Sequence, residues 1–221
     1  MGQKGFYFSA DDCVGCKTCV AACKDINHLQ PGTVYRKVYE YHSGSWKKVT
    51  EDGMEFDVPD ISIYFVSDSC NHCGAPQCMP VCPTGAITKR DDGIVFLDSS
   101  LCEGDTCLLC VEACPYGEPV FRKDLGKVAK CNYCSDADYR TESTKNVPAC
   151  VTACLNRALH YGELEDLQKK YGTTNADISP LASSTETFPS IVIEPNAANP
   201  DKGNGRIANP TELGGEVVNQ T

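Results

Sequence analysis

Cys13-Val14-Gly15-Cys16-Lys17-Thr18-Cys19-Val20-Ala21-Ala22-Cys23 is the stretch on which the fold turns. Its spacing, Cys-x2-Cys-x2-Cys-x3-Cys, is the bacterial ferredoxin run without its final proline. Three thiolates this close together wrap one iron-sulfur cubane. The fourth, a helical turn farther on, points away to a neighbouring cluster. Such a run therefore implies a partner run elsewhere in the sequence.

Three further groups of four supply partners. Cys70-x2-Cys73-x4-Cys78-x3-Cys82-Pro83 keeps the last step and the proline but widens the middle gap with Gly74-Ala75-Pro76-Gln77. Cys102-x4-Cys107-x2-Cys110-x3-Cys114-Pro115 opens with the plant-type [2Fe-2S] spacing and closes with the cubane one, so its ending favours a cubane. Cys131-x2-Cys134-x15-Cys150-x3-Cys154, read alone, suits a zinc site as well as a cluster. The second and third groups share the Cys-Pro ending and a short connection, whereas Cys23 and Cys154 are followed by Lys24 and Leu155. That distinction pairs the inner two groups together and the outer two together.

Sixteen cysteines among 221 residues also admit a disulfide framework. Disulfides need an oxidising compartment and hence, as a rule, a secretory signal, whereas Met1-Gly2-Gln3-Lys4-Gly5-Phe6-Tyr7-Phe8 leads directly into Asp11-Asp12-Cys13. No run approaches the roughly 20 apolar residues of a membrane span. The expectation is a soluble chain with no targeting signal of its own. A formal charge of −10 argues against nucleic acid, and basic pairs such as Lys47-Lys48 and Lys169-Lys170 read as solvated surface. Hydrophobic residues make up 41% of the sequence with cysteine included; without it roughly a third remains, a low share that leaves bound metal to hold the fold.

Between the cysteine groups, Thr33–Tyr41 and Asp60–Val66 read as strands around a loop containing Ser43-Gly44-Ser45, a β insertion over about 31–66. Ala86–Lys89 and Ile94–Leu97 flank Asp92-Gly93 as a hairpin that brings two cysteine groups together. Glu163–Lys170, stopped by Gly172, reads as a short helix with Leu164 and Leu167 on one face. From Thr173 onward Ser, Thr, Asn, Pro and Gly dominate, with only Phe188–Ile193 strand-like. Such a tail is expected to be ordered by another surface, with Phe188 and Ile191–Ile193 as its apolar contacts. The predicted organisation is α+β: a four-cluster core over 1–172 and an extended tail over 173–221 that packs on a partner subunit.

Phe6-Tyr7-Phe8, the first cysteine run, Cys70-Asn71-His72-Cys73, Val81-Cys82-Pro83, Gly85-Ala86, Ala113-Cys114-Pro115-Tyr116-Gly117, Lys130-Cys131 and Ile191–Ala197 together resemble the iron-sulfur subunits of molybdopterin oxidoreductases of the dimethyl sulfoxide reductase family. The resemblance extends through almost the whole sequence. It implies two nested ferredoxin-like modules, each holding two [4Fe-4S] clusters. It also implies electron transfer between a molybdopterin catalytic subunit and a quinol-oxidising membrane subunit or other donor. Carried onto these residues, one cluster takes Cys13, Cys16, Cys19 and Cys154, and its neighbour takes Cys131, Cys134, Cys150 and Cys23. The inner pair takes Cys70, Cys73, Cys78 and Cys114, and then Cys102, Cys107, Cys110 and Cys82. A folded pair of this kind stays in the cytoplasm or is exported on the partner's twin-arginine signal. One departure stands out: the family spaces the first two cysteines of the third group by two residues, and here Glu103-Gly104-Asp105-Thr106 intervene. Related nitrate reductase subunits use a tryptophan in this region, whereas Trp46, the single tryptophan here, lies outside every group.

His72, between Cys70 and Cys73, is the histidine placed to tune a cluster through a ring donor or a charge. His28, His42 and His160 read as surface or packed residues, and Asp11-Asp12 and Asp91-Asp92 as turn chemistry. Tyr116 and Tyr133, beside ligands, are expected to pack against clusters and exclude water. No dinucleotide fingerprint, phosphate loop or nucleophile elbow is present, so the chain is expected to conduct electrons without catalysing a reaction. A zinc-stabilised interaction protein is the rival reading from another class. Among conduits, the partner chemistry is read as sulfoxide or N-oxide reduction, with catechol dehydroxylation, polysulfide or tetrathionate chemistry as alternatives.

Overall fold

The computed structural model describes residues 2–44, 47–57, 61–136, 147–172, 177–197 and 205–214; Trp46 and Ser45 lie outside them. In sequence order the first half carries β1 (Lys4–Ser9), α1 (Thr18–Ile26), β2 (Arg36–Ser43), β3 (Lys47–Lys48), β4 (Phe56–Asp57), β5 (Ser62–Ser69), β6 (Ile87–Lys89) and β7 (Val95–Leu97). The second half carries α2 (Leu109–Glu112), β8 (Val120–Arg122), β9 (Lys127–Ala129), α3 (Ala149–Thr152), β10 (Leu159–Glu163), α4 (Leu164–Tyr171), β11 (Ile191–Glu194) and β12 (Arg206–Ile207). Short helices and small sheets make this the expected α+β class.

β1 is the spine. It pairs antiparallel with β10, Phe6 opposite Tyr161, and parallel with β11, Phe6 opposite Ile191. Side chains alternate along a strand. Phe6 and Phe8 accordingly enter the main core with Tyr133, Ile191 and Ile193, while Tyr7 faces the other way onto Leu167 and Val192. α4 covers that second face. Its first turn holds Glu165 and Asp166, its last turn Lys169 and Lys170, and Gly172 ends it at φ 96°, so both ends complement the helix dipole.

The tail requires a correction. Ile191–Ile193 are not held for a partner surface: they form β11, and all three are buried in the protein's own sheet. The physical reason is that the preceding segment is tied down by backbone hydrogen bonds. Gly74 N donates to Phe188 O at 2.7 Å, Ala75 N to Thr187 O at 3.0 Å and Ser190 N to Asn71 O at 2.9 Å. Farther on, Asn209 is buried on β2, its Nδ2 donating to Val38 O at 2.9 Å and its Oδ1 accepting from Glu40 N at 2.9 Å. Phe188, by contrast, is 65% exposed.

β2 and β5 form the expected insertion ladder, running from Arg36 opposite Ser69 to Ser43 opposite Ser62. β6 and β7 form the expected hairpin between the second and third cysteine groups. A further hairpin, β8–β9, follows the third group and turns at Gly126.

Candidate metal-cluster sites

The first run bends before it becomes helical. Gly15 has φ +67°, and a Cβ there would lie 2.5 Å from the Phe65 ring, so only glycine permits this approach. α1 then places Cys19 and Cys23, four apart, on its buried side. α3 packs against α1 and contributes Cys150, with Cys154 just beyond its end. The two ends of the cysteine-bearing segment thereby meet.

All sixteen thiols are free of disulfides. Cys13, Cys16, Cys19 and Cys154 line one pocket with Phe8, Val38 and Leu159. Cys23, Cys131, Cys134 and Cys150 line another with Asn27, Arg36 and Ser69. Cys19, Cys150 and Cys154 belong to one hydrophobic core; Cys78 and Cys110 belong to a separate one, flanked by Cys82 and Cys102. In this second region Cys73, Cys78 and Cys114 lie within electrostatic range of Cys70, and Cys110 within range of Cys78, Cys102 and Cys82. Cys107 ends the turn over Gly104–Thr106, its N–H donating to Gly104 O at 3.3 Å.

Burial pushes the Cys13 thiol up to about 11, and repulsion from Cys19, Cys154 and Cys16 adds to it. Burial likewise pushes Cys73 and Cys114 up to about 12. Ionising these crowded thiols needs positive charge inside the ring they form. Iron bound by thiolate supplies that charge, so the donor set and the cavities fit iron-sulfur clusters. The rings are also supplied with donors of the kind that stabilise ligating sulfur. Gly104 N donates to Cys102 Sγ at 3.4 Å, Tyr133 N to Cys131 Sγ at 3.4 Å and Glu118 N to Cys114 Sγ at 3.5 Å. Thr18 Oγ1 donates to Cys16 Sγ at 3.4 Å, and this bond lowers the exposed Cys16 thiol's pKa.

The widened third group is accommodated by this pattern. Glu103–Thr106 fold into a turn whose Gly104 N–H reaches back to Cys102, so the intervening residues furnish a donor to its sulfur.

His72 is fully buried, and its Nδ1 accepts from Val95 N at 3.0 Å. Burial, with Lys130 and Lys89 nearby, holds its basicity well below the ordinary value. The ring lies 3.9 Å from that of Tyr133, which is itself edge-on to Phe6 at 4.8 Å. Tyr116 is buried as well, its hydroxyl 2.8 Å from Thr187 Oγ1. Asp92 serves a turn, its Oδ1 accepting from Ile94 N at 3.2 Å.

Sequence reasoning missed the buried charges. Arg36 and Lys37 occupy adjacent positions on β2 and are both buried, as are Lys130 and Glu118. A basic pair inside a strand rich in β-branched and aromatic residues was the available signal.

Two overlapping matches to the 4Fe-4S dicluster domain cover residues 12–86 and 61–164. The protein is 41% identical over 213 residues to YnfG of Escherichia coli K12, a probable anaerobic dimethyl sulfoxide reductase subunit, covering 96% of the present sequence and 98% of that relative. It is equally similar, with the same coverage, to the B subunit of anaerobic dimethyl sulfoxide reductase from the same organism. The corresponding B subunit of Haemophilus influenzae is 40% identical over 215 residues, covering 96% of the present sequence and all of that relative.

Proposed function

The protein belongs to the family of iron-sulfur electron-transfer subunits that includes the B subunit of anaerobic dimethyl sulfoxide reductase, and from that premise we propose that its sixteen cysteines hold four [4Fe-4S] clusters in two nested pairs. Cys13, Cys16, Cys19 and Cys154 hold one, and Cys131, Cys134, Cys150 and Cys23 its neighbour. Cys70, Cys73, Cys78 and Cys114 hold the third, and Cys102, Cys107, Cys110 and Cys82 the fourth. The observation that carries this reading is the pocket in which Cys154 joins Cys13, Cys16 and Cys19 from the far end of the core.

When bound, each cluster supplies a one-electron carrier. The protein's own part is to fix the thiolates, to direct N–H and O–H donors at sulfur, and to wall the sites with Phe8, Val38, Ile87 and Val95 against water. No substrate chemistry is assigned to it. Its electrons pass between a donor, a quinol-oxidising membrane subunit or another carrier, and a molybdopterin catalytic subunit of the dimethyl sulfoxide reductase type. No described helix is long and apolar enough to cross a membrane. Residues 1–172 form the cluster core. Within the tail over 173–221, β11 completes that core and the exposed Phe188 contacts the catalytic subunit, with which the protein travels if exported.

Paired cysteine variants test the crossed ligand sets. Cys154→Ser and Cys13→Ser should alter the same electron paramagnetic resonance (EPR) signal of the reduced protein, and Cys23→Ser a different one. If Cys154→Ser instead alters the signal changed by Cys131→Ser, the nested assignment fails.

A further inference from the structure

Arg36 sits in the partition between the two outer pockets. Its side chain is 2% exposed, and it lines the pocket of Cys23, Cys131, Cys134 and Cys150. Its guanidinium lies within electrostatic range of the thiols of Cys150, Cys19, Cys131 and Cys23. On the other side, Nη1 donates to Ser67 Oγ at 2.9 Å, and Ser67 Oγ lies 3.5 Å from Sγ of Cys19 in the neighbouring pocket. Nη2 donates to Ser69 Oγ at 2.8 Å, and the Phe6 ring lies beneath the guanidinium at 4.7 Å. Arg36 therefore places one fixed positive charge at the wall of one pocket and, through Ser67, reaches Cys19 of the other.

That charge has no carboxylate within ion-pairing distance among the described residues. Asp68 and Glu118 interact with it only from farther away, and Lys37 takes up Glu118. A cation this buried is costly unless negative charge lies close by. The groups that face it are thiols of the two rings, which are anionic once ligated. Adding one electron to either ring, without a proton, increases the negative charge beside Arg36, and Arg36 stabilises that state.

We propose that Arg36 is a positioning residue that sets the reduction potentials of the two outer clusters together, holding both above the values their thiolate ligands alone would give. The inference rests on the ligand sets proposed above, and it assigns Ser67 the role of carrying the effect to the pocket of Cys19. Among the described residues Arg36 makes no hydrogen bond to a cysteine of the inner pair, which is expected to feel its charge least.

The test is a redox titration, followed by EPR, of the anaerobically purified full-length protein with its clusters, together with its Arg36→Gln, Arg36→Lys and Ser67→Ala variants. Iron and sulfide content and the number of signals report on the ligand sets; the midpoint potentials report on Arg36. In Arg36→Gln, two of the four potentials should fall by at least a tenfold change in the one-electron equilibrium constant, about 59 mV, with the other two unmoved. Arg36→Lys should restore most of the shift, and Ser67→Ala, which keeps the charge, should lower one potential. Unchanged potentials in a fully loaded Arg36→Gln overturn the proposal, as does an equal shift of all four. Should Arg36→Gln fail to retain iron, the loaded Ser67→Ala protein decides: the proposal fails if neither outer potential falls.

Discussion

Lys130 Nζ lies 3.6 Å from Sγ of Cys70, while the residue that follows it, Cys131, lines the outer pocket. One buried side chain thus spans the boundary between the two cysteine regions. The same ammonium donates to Val95 O on the inner hairpin and to Cys131 O at 3.1 Å. Lys130→Met would leave both carbonyls without this donor, each at a cost of about 1–3 kcal/mol. The expected outcome is a lower thermal unfolding midpoint for the cluster-loaded protein, measured anaerobically by circular dichroism. An unchanged midpoint would show that the lysine does not tie the regions together.

Lys37 and Glu118 make a second buried tie, with Nζ 3.3 Å from Oε1 and side chains only 8% and 1% exposed. Lys37 Nζ also donates to Gly117 O at 2.7 Å, fixing the backbone just after Cys114-Pro115 to β2. Removing one partner of a buried pair strands the other charge, at a cost of about 3–5 kcal/mol. Lys37→Met should destabilise the loaded protein by about that amount in urea unfolding, and adding Glu118→Gln should recover part of the loss. Additive losses in the double variant would refute the coupling.

Gly104 has φ +78°, and a Cβ on it would lie 2.4 Å from Gly126 O on the β8–β9 turn. Both partners of that clash are backbone, so neither yields cheaply. Gly104→Ala should displace the N–H that reaches Cys102 and cost the protein about a quarter of its iron, read by metal analysis. Full iron content with native spectra would mean that the inserted turn is not part of the site.

The tail separates into two roles that variants can distinguish. Ile191→Ala removes a side chain packed with Phe6 and Phe8 and should destabilise the fold by about 2–5 kcal/mol. Truncation before Ile191 should cause loss of clusters. Phe188→Ser alters an exposed ring and should leave iron content unchanged while weakening copurification with the catalytic subunit. If Phe188→Ser leaves copurification intact, the exposed ring is not a partner contact.

Much of the site was legible because ligand spacing is a local code: Cys13 to Cys23 and the two Cys-Pro endings carry their chemistry within a dozen residues each. The β6–β7 hairpin and α4 were legible for the same reason, through Asp92-Gly93 and Gly172. What escaped was set by distant partners. Ile191–Ile193 looked poorly supported because their core neighbours, Phe6 and Phe8, lie at the other end of the sequence. The buried charges of Arg36 and Lys130 escaped because the thiols near them come from other segments. The β8–β9 hairpin had a turn signal in Asp124-Leu125-Gly126, but three-residue strands are too short for alternation to stand out.

The central claim, four clusters on sixteen cysteines, is tested most directly by iron and acid-labile sulfide analysis of the anaerobically purified protein. The account predicts about sixteen of each per molecule, with visible absorption that bleaches on reduction. Stoichiometric zinc in a colourless protein, or iron that stops at about fourteen with a two-iron spectrum from the third group, would contradict it.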